Sequence, residues 1–361
     1  MTFEAVQLLR EMIAIPSASF NEDAVCSHIC CWMNAHGIAH ERIGNNIIAE
    51  HICDPSKPTL MLCAHIDTVE PCEGYTFNPY KPENCPADMV QGLGSNDDGA
   101  SVVSMIAAYR YITDGSISTK TPINIILVLT CEEERSGKDG MTGLWGSRIC
   151  ARKDTKEGCI PVDYAIVGEP TGMKAAIAER GLLVIDAVAE GVSGHAARNE
   201  GVNALYIALE DIAKLREHEF AKVSPRMGKV SLNVTQINAG SAHNVIPDRC
   251  SFVIDIRPTE QYTNQEILDE LQAICKSRLT PRNLLNQSSA TFEDSPLQKA
   301  AEELGIETFS SPTTSDWMRI SCDAIKMGPG DSARSHKKDE YVTVEEISEG
   351  IKTYIEFIER L

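Results

Sequence analysis

The chain has 361 residues, with 33 lysines and arginines against 52 aspartates and glutamates, for a formal charge of −19. That excess of acid argues against nucleic acid and against an anionic membrane as partners. The length allows two domains with full cores, and a 43% hydrophobic, 24% charged composition excludes a disordered or fibrous chain.

The first fifteen residues mix Glu4, Arg10 and Glu11 with apolar side chains and lack signal-peptide architecture. No apolar run reaches the length of a membrane span. Thirteen cysteines form an odd set with no C-x-x-C pair, and Cys63 and Cys131 fall in runs expected to be buried. These read as reduced thiols, so the expected location is the cytoplasm.

In chain order, apolar spacing predicts helices over 3–13 and 22–35, with Gly37 as a stop, and strands over 47–51 and 60–64. Residues 70–91 carry Pro71, Pro79, Pro82 and Pro86 with little periodicity, which reads as a long loop. Gly92 to Gly99 follow, a turn that delivers Asp97 to a helix over 100–112. Asp97 there is either a capping carboxylate or a ligand, and the local pattern allows both.

Residues 125–130 form a run apolar enough to be a strand buried on both faces, and Glu132, Glu133 and Glu134 follow almost at once. The arrangement recurs. The strand over 60–64 leads into His65 and Asp67, that over 164–168 into Glu169, and that over 324–327 through Gly328-Pro329-Gly330 to His336. In open α/β sheets ligands bind beyond the carboxyl ends of the strands, so four such ends can converge on one crevice.

From Met173 the pattern changes. Residues 175–179 and 182–190 read as strands paired across Arg180-Gly181, followed by a helix over 204–217 and strands over 230–237 and 250–257. A helix over 265–278 and a weak strand within 284–292 complete a ferredoxin-like α+β block. A helix over 295–304 and the strand over 324–327 restore the first pattern. The expected organisation is therefore an α/β catalytic domain of residues 1–172 and 293–361, a mixed sheet flanked by helices, with residues 173–292 inserted as a second domain.

His65, Asp97, Glu134, Glu169 and His336 are too many ligands for one tetrahedral zinc with an open position. They suit two metals sharing a bridging carboxylate. Asp67, on the same side of an extended chain as His65, can accept the other imidazole N–H. Glu133, if the chain is still extended there, points away from Glu134 toward a water instead of a metal.

His65-Ile66-Asp67, the Gly-x-Gly-x-x-Asp of Gly92 to Asp97, Glu133-Glu134, Gly168-Glu169-Pro170-Thr171, Ser193-Gly194-His195-Ala196 and Gly328-Pro329-Gly330 with His336 occur in one order over essentially the whole chain. In this the chain resembles the dizinc aminoacylase, acetylornithine deacetylase and succinyl-diaminopimelate desuccinylase family of amidohydrolases. The resemblance implies a zinc-exopeptidase-like catalytic domain and an inserted lid and dimerisation domain, hence a homodimer. It implies two zinc ions, with cobalt also accommodated: His65 and Glu169 on one, Glu134 and His336 on the other, Asp97 bridging, and Asp97–Asp98 as a cis peptide. Glu133 becomes general base and acid on a metal-bridging water, with Asp67 and His195 as the other catalytic residues. His195 would stabilise the oxyanion in a partner subunit's site.

Arg180 and Arg257 are carboxylate clamps in this reading, though Arg257 can instead pair with a local acid; Asn244 and Thr314 match substrate contacts. Where the desuccinylase relatives have two adjacent arginines, this chain has Glu179-Arg180, and Arg334 offers a partner for a succinyl carboxylate. The expected substrate is a small N-acyl amino acid, Nα-acetyl- or Nα-succinyl-L-ornithine, in arginine biosynthesis. Succinyl-diaminopimelate desuccinylase and a dipeptidase are the alternatives, and a catalytically silent scaffold is the non-enzyme one.

Overall fold

The structure, a computed structural model, describes residues 1–83, 85–114, 123–198 and 200–361. It divides into two compact units, one of residues 1–177, 291–309 and 315–361, the other of residues 178–290 and 310–314.

The first unit is built on a mixed sheet. Six of its strands lie in the order Glu41–Ile43, Asn46–His51, Asn124–Thr130, Thr59–His65, Tyr164–Val167, Asp323–Lys326, and Ala175–Glu179 pairs next. The last four of the six run parallel to one another, while Asn46–His51 pairs antiparallel to Asn124–Thr130. Every residue of Thr59–His65 and Asn124–Thr130 is buried, as the unbroken apolar runs require. Burial of each Ile or Leu there contributes about 1.5–3 kcal/mol, enough to fix the register. That register sets His65 opposite Thr130 and both Cys63 and Lys326 opposite Val167, so the four parallel strands end at nearly one level. The helix Gly99–Thr113 is buried on almost all sides and packs with Thr2–Ile13 and Val344–Ile358. The loop expected over 70–91 ends in a short strand, Met89–Gln91, paired with Tyr341–Thr343.

The second unit has a four-stranded antiparallel sheet ordered Ser231–Ala239, Arg249–Arg257, Leu183–Glu190, Arg278–Pro281. With helices Ala204–Glu217 and Asn264–Ile274 in the connections, this is the ferredoxin-like βαββαβ order. Alternate residues of Leu183–Glu190 and Arg249–Arg257 are buried, the period of a sheet covered on one face.

Two local expectations are corrected. Ala175–Glu179 and Leu183–Glu190 are not a hairpin: Ala178 and Glu179 pair with Ser289–Ala290, and the intervening amides bond elsewhere, Gly181 to the Ser288 hydroxyl and Leu182 to the Asn286 carbonyl. Neither Arg180 nor Gly181 closes a two-residue turn. The weak strand expected within 284–292 is present as Ser289–Ala290, paired with Ala178 and Glu179, while the second helix stops at Ile274, four residues early, and gives way to a strand over Arg278–Pro281. The cause is Asp211, whose buried carboxylate accepts the amides of Lys276 at 3.0 Å and Ser277 at 2.7 Å and the Ser277 hydroxyl at 2.7 Å. Those amides are thereby drawn out of helical geometry.

This gives a stability prediction. Burial works to raise the Asp211 pKa, but the bonds from Lys276 and Ser277 outweigh it and hold the carboxyl below the ordinary range. Asp211→Ala strands three donors and is expected to cost about 3 kcal/mol at neutral pH in denaturant titration. A depressed folded-state pKa means the stabilisation is complete above the unfolded value, about 3.9, and is lost as pH falls through the folded one. The gap between wild type and variant should therefore be flat near neutrality and close below about pH 4.

Candidate active site

The ends of the four parallel strands bring the expected residues together. His65 closes its strand with Nδ1 donating to the Asp67 carbonyl at 3.0 Å, which leaves Nε2 to face Asp97 Oδ1 at 3.2 Å. The Asp67 carboxylate lies slightly further from Nδ1, at 3.4 Å. It accepts instead from the Ser19 hydroxyl at 2.6 Å and from the amides of Glu133 and Glu134 at 3.0 and 3.2 Å. Asp67 thus ties the His65 strand end to the glutamate pair.

Those glutamates reach the crevice differently from expectation. The Asn124–Thr130 strand ends before them, Glu132 takes a left-handed φ of 60°, and Glu133–Arg135 form a 3-10 turn. The two carboxylates do not sit on opposite faces of an extended chain. Glu134 meets His336 Nε2 at 2.9 Å, and His336 lies 3.7 Å from Asp97 Oδ2. Ligating atoms of His65, Asp97 and Glu134 lie within 4.8 Å of one another, and so do those of His65, Glu133 and Glu169. Asp97 is 9% exposed and precedes Asp98 through a cis peptide bond.

The electrostatics are those of an acid-rich pocket. Burial pushes the carboxyls of Glu133 and Glu169 well above the ordinary range, with neighbouring carboxylates adding to the rise. Asp316, beneath them, is raised to about 6 by burial although the Thr130 hydroxyl donates to it at 2.6 Å. The hydrogen bond to Glu134 raises His336 to about 8. Burial opposes the charged form of His65, yet its bonds to Asp67 and Asp97 win and raise its pKa well above 6.5. Four carboxylates facing two imidazoles want positive charge. Nitrogen and carboxylate oxygen are the donors zinc and its neighbours accept, so the residues present fit two divalent cations.

Sequence reasoning missed two supports. Glu340, buried, accepts the amides of Gly94, Asn96 and Asp97. Glu22, fully buried, accepts the amide of Glu132 at 3.2 Å and so holds the left-handed turn. A lone glutamate flanking a β-branched segment was the one available signal for Glu340.

The remaining residues lie in the second unit, where His195 is exposed and pairs with Val245 in a two-residue ribbon. The adjacent Asn244 accepts the Ala196 amide through its carbonyl at 3.1 Å. Arg180 donates to the carbonyls of Lys229, Arg257 and Met227. Arg257 makes a two-pronged pair with Asp255 at 2.8 and 3.1 Å, the local alternative weighed above. Thr314 ends the 310–314 segment of this unit. Glu179 is fully buried and accepts from the Ser289 hydroxyl. In the first unit, Arg334 pairs with Glu346 at 2.9 Å and stacks on Tyr341, which occupies the guanidinium suggested for a succinyl group.

Comparison with known proteins agrees with this layout. Residues 177–283 match the peptidase dimerisation domain and residues 46–178 match peptidase family M28. The acetylornithine deacetylase of Proteus mirabilis is 27% identical over 93% of this chain and 91% of its own. The succinyl-diaminopimelate desuccinylase of Psychromonas ingrahamii is 26% identical over 84% of each. Among solved structures, the aminopeptidase PepT of Bacillus cereus superposes with a TM-score of 0.77 at 18% identity, over 100% of this chain and 98% of that one. The Bacillus subtilis YXEP protein, described as a dinuclear metal binding peptidase from the M20 family, gives 0.72 at 15% identity over 99% and 97%. Fold and site together define a metal-dependent amide hydrolase with a metallopeptidase-type catalytic domain and a dimerisation domain. The chain is a relative of the acetylornithine deacetylases and succinyl-diaminopimelate desuccinylases, and the silent-scaffold alternative is set aside.

Proposed function

We propose that the chain is a two-metal amidohydrolase that removes the Nα-acyl group of N-acetyl-L-ornithine or N-succinyl-L-ornithine in arginine biosynthesis. The reading rests on the convergence of two imidazoles and four carboxylates at the ends of parallel strands, with Glu133 among them. In it His65 and Glu169 hold one cation, Glu134 and His336 the other, and Asp97 serves both; zinc is expected, with cobalt an acceptable substitute. The cations supply polarisation of the amide carbonyl and acidification of water.

This chain's own residues move the protons and hold the geometry. Glu133 takes a proton from the attacking water and returns it to the leaving nitrogen, which must depart as a neutral amine. Asp67 keeps the imidazole of His65 in the tautomer that frees Nε2. His195, contributed across a dimer, donates to the oxyanion. Asn244, on the ribbon with His195, and Thr314 are proposed substrate contacts. Arg180 and Arg257 could clamp a carboxylate only by exchanging the bonds described above.

A homodimer through the second unit is supported by the edge position of Ser231–Ala239 and by exposed Tyr206 and Leu209 one turn apart on the neighbouring helix. A cytoplasmic location is supported by thirteen free thiols. None of the described helices is long and apolar enough to cross a membrane.

Steady-state rates on N-acetylornithine, N-succinylornithine, N-succinyl-diaminopimelate and a dipeptide test the assignment. An ornithine derivative should be preferred by orders of magnitude. Preference for N-succinyl-diaminopimelate would instead make the chain a desuccinylase. Dialysis against a chelator should abolish turnover, and added zinc or cobalt should restore it; turnover that survives full metal removal would end the two-metal reading.

A further inference from the structure

We infer that Glu340, acting with Asn96, is a positioning residue that locks Asp97 and His336 into one unit. The inference rests on the reading of those two side chains as metal ligands. Glu340 is 2% exposed. One carboxylate oxygen accepts the amides of Asn96 at 2.8 Å and Asp97 at 2.9 Å, and the other accepts the amide of Gly94 at 3.1 Å. A carboxylate filling a nest of amides fixes the backbone that presents them, and here that backbone ends in Asp97.

The lock is reciprocal. Asn96 Oδ1 accepts the Asp331 amide at 2.9 Å, while Nδ2 donates to the Asp331 carbonyl at 3.1 Å and the Ser335 hydroxyl at 3.4 Å. Ser335 immediately precedes His336. Gly330 has a φ of 89°, and a Cβ added there would come 2.4 Å from Asn96 Oδ1, so only glycine leaves room for the carboxamide. The Gly92 amide donates to the Glu340 carbonyl at 2.9 Å, at the end of the ribbon that sets Gln91 opposite Tyr341. Two ligands far apart in sequence are thus carried by one hydrogen-bonded module.

Both oxygens of Glu340 are committed to amides, so its part is to place ligands and not to be one. Glutamine cannot replace it. One of its two positions becomes an NH₂ group facing a backbone N–H, which removes at least one bond and sets donor against donor.

The test uses the full chain freed of metal, titrated with zinc against a chromophoric chelator at a temperature where each variant is folded by circular dichroism. Glu340→Gln and Asn96→Ala are each expected to weaken zinc binding about 10–100-fold. A purely structural role would lower the melting temperature and leave zinc affinity of the folded protein alone, so wild-type affinity in either folded variant overturns the inference. Should Glu340→Gln not fold, Asn96→Ala decides by the same criterion. Asp97→Ala and His336→Ala are the controls. If they too bind zinc like wild type, the metal reading of the site fails, an outcome distinct from failure of the lock.

Discussion

Replacing Glu133 with glutamine is expected to lower turnover about 10²–10⁴-fold while the metal content of each chain stays the same. The geometry makes this a real choice, because an oxygen of Glu133 lies as close to the donor atoms of His65 and Glu169 as a ligand would. A ligand and a base part company in the variant. Loss of a ligand lowers metal content and activity together, whereas loss of a base leaves the metal and removes only the proton transfer. Glutamine keeps the shape and the carbonyl oxygen but cannot take a proton.

The pH profile gives a second handle on the same residue. Burial is the largest influence on Glu133 and raises its pKa, with Asp316, Glu134 and Asp67 adding to the rise and His65 opposing it. A base works only when deprotonated. A raised pKa therefore moves the acid limb of kcat/KM upward from the ordinary glutamate value of about 4.3. Bound cations act against that shift, so in the loaded enzyme the limb should lie above the ordinary glutamate value by less than burial alone would give. The residual activity of Glu133→Gln should lack it. A zinc content halved in this variant would turn Glu133 into a ligand and leave the general base unassigned.

The convergence of strand ends was legible because it follows from strand periodicity. Four apolar runs each ending in His, Asp or Glu predict where the chain leaves a parallel sheet, and Thr59–His65, Asn124–Thr130, Tyr164–Val167 and Asp323–Lys326 do end together. Periodicity says nothing about what pairs with what. Ala175–Glu179 and Leu183–Glu190 were each placed within a residue, yet taken as partners when long-range pairing sends them to different sheets. The turn at Glu132 was equally hidden, since a left-handed residue need not be glycine when a distant carboxylate, Glu22, captures its amide. Glu340 and Asp211 share that concealment. Each is a buried acid whose partners are backbone amides, and backbone amides carry no sequence signature.

Asp67 is where the second large effect is expected. It is 1% exposed, and its carboxylate joins four groups: the Ser19 hydroxyl, the amides of Glu133 and Glu134, and the imidazole of His65. Asp67→Ala strands buried donors and removes the counter-charge of His65, so it should cost about 3–5 kcal/mol. Asp67→Asn is the sharper experiment. The carboxamide fits the same space but must set its NH₂ group against the Glu133 amide or the Glu134 amide, so one of the two is pushed away. The stability loss should be smaller than for alanine, while kcat and zinc affinity should still fall about 10–100-fold if the proposed roles hold, because the proposed general base, Glu133, and the proposed metal ligand, Glu134, hang from those two amides. The imidazole's partner in Asp67 is the backbone carbonyl, which both variants retain, so activity lost by Asp67→Asn reflects displacement of the glutamates and loss of the counter-charge of His65, not a flipped His65 tautomer. A variant that melts earlier but turns over and binds zinc like wild type would reduce Asp67 to a fold residue.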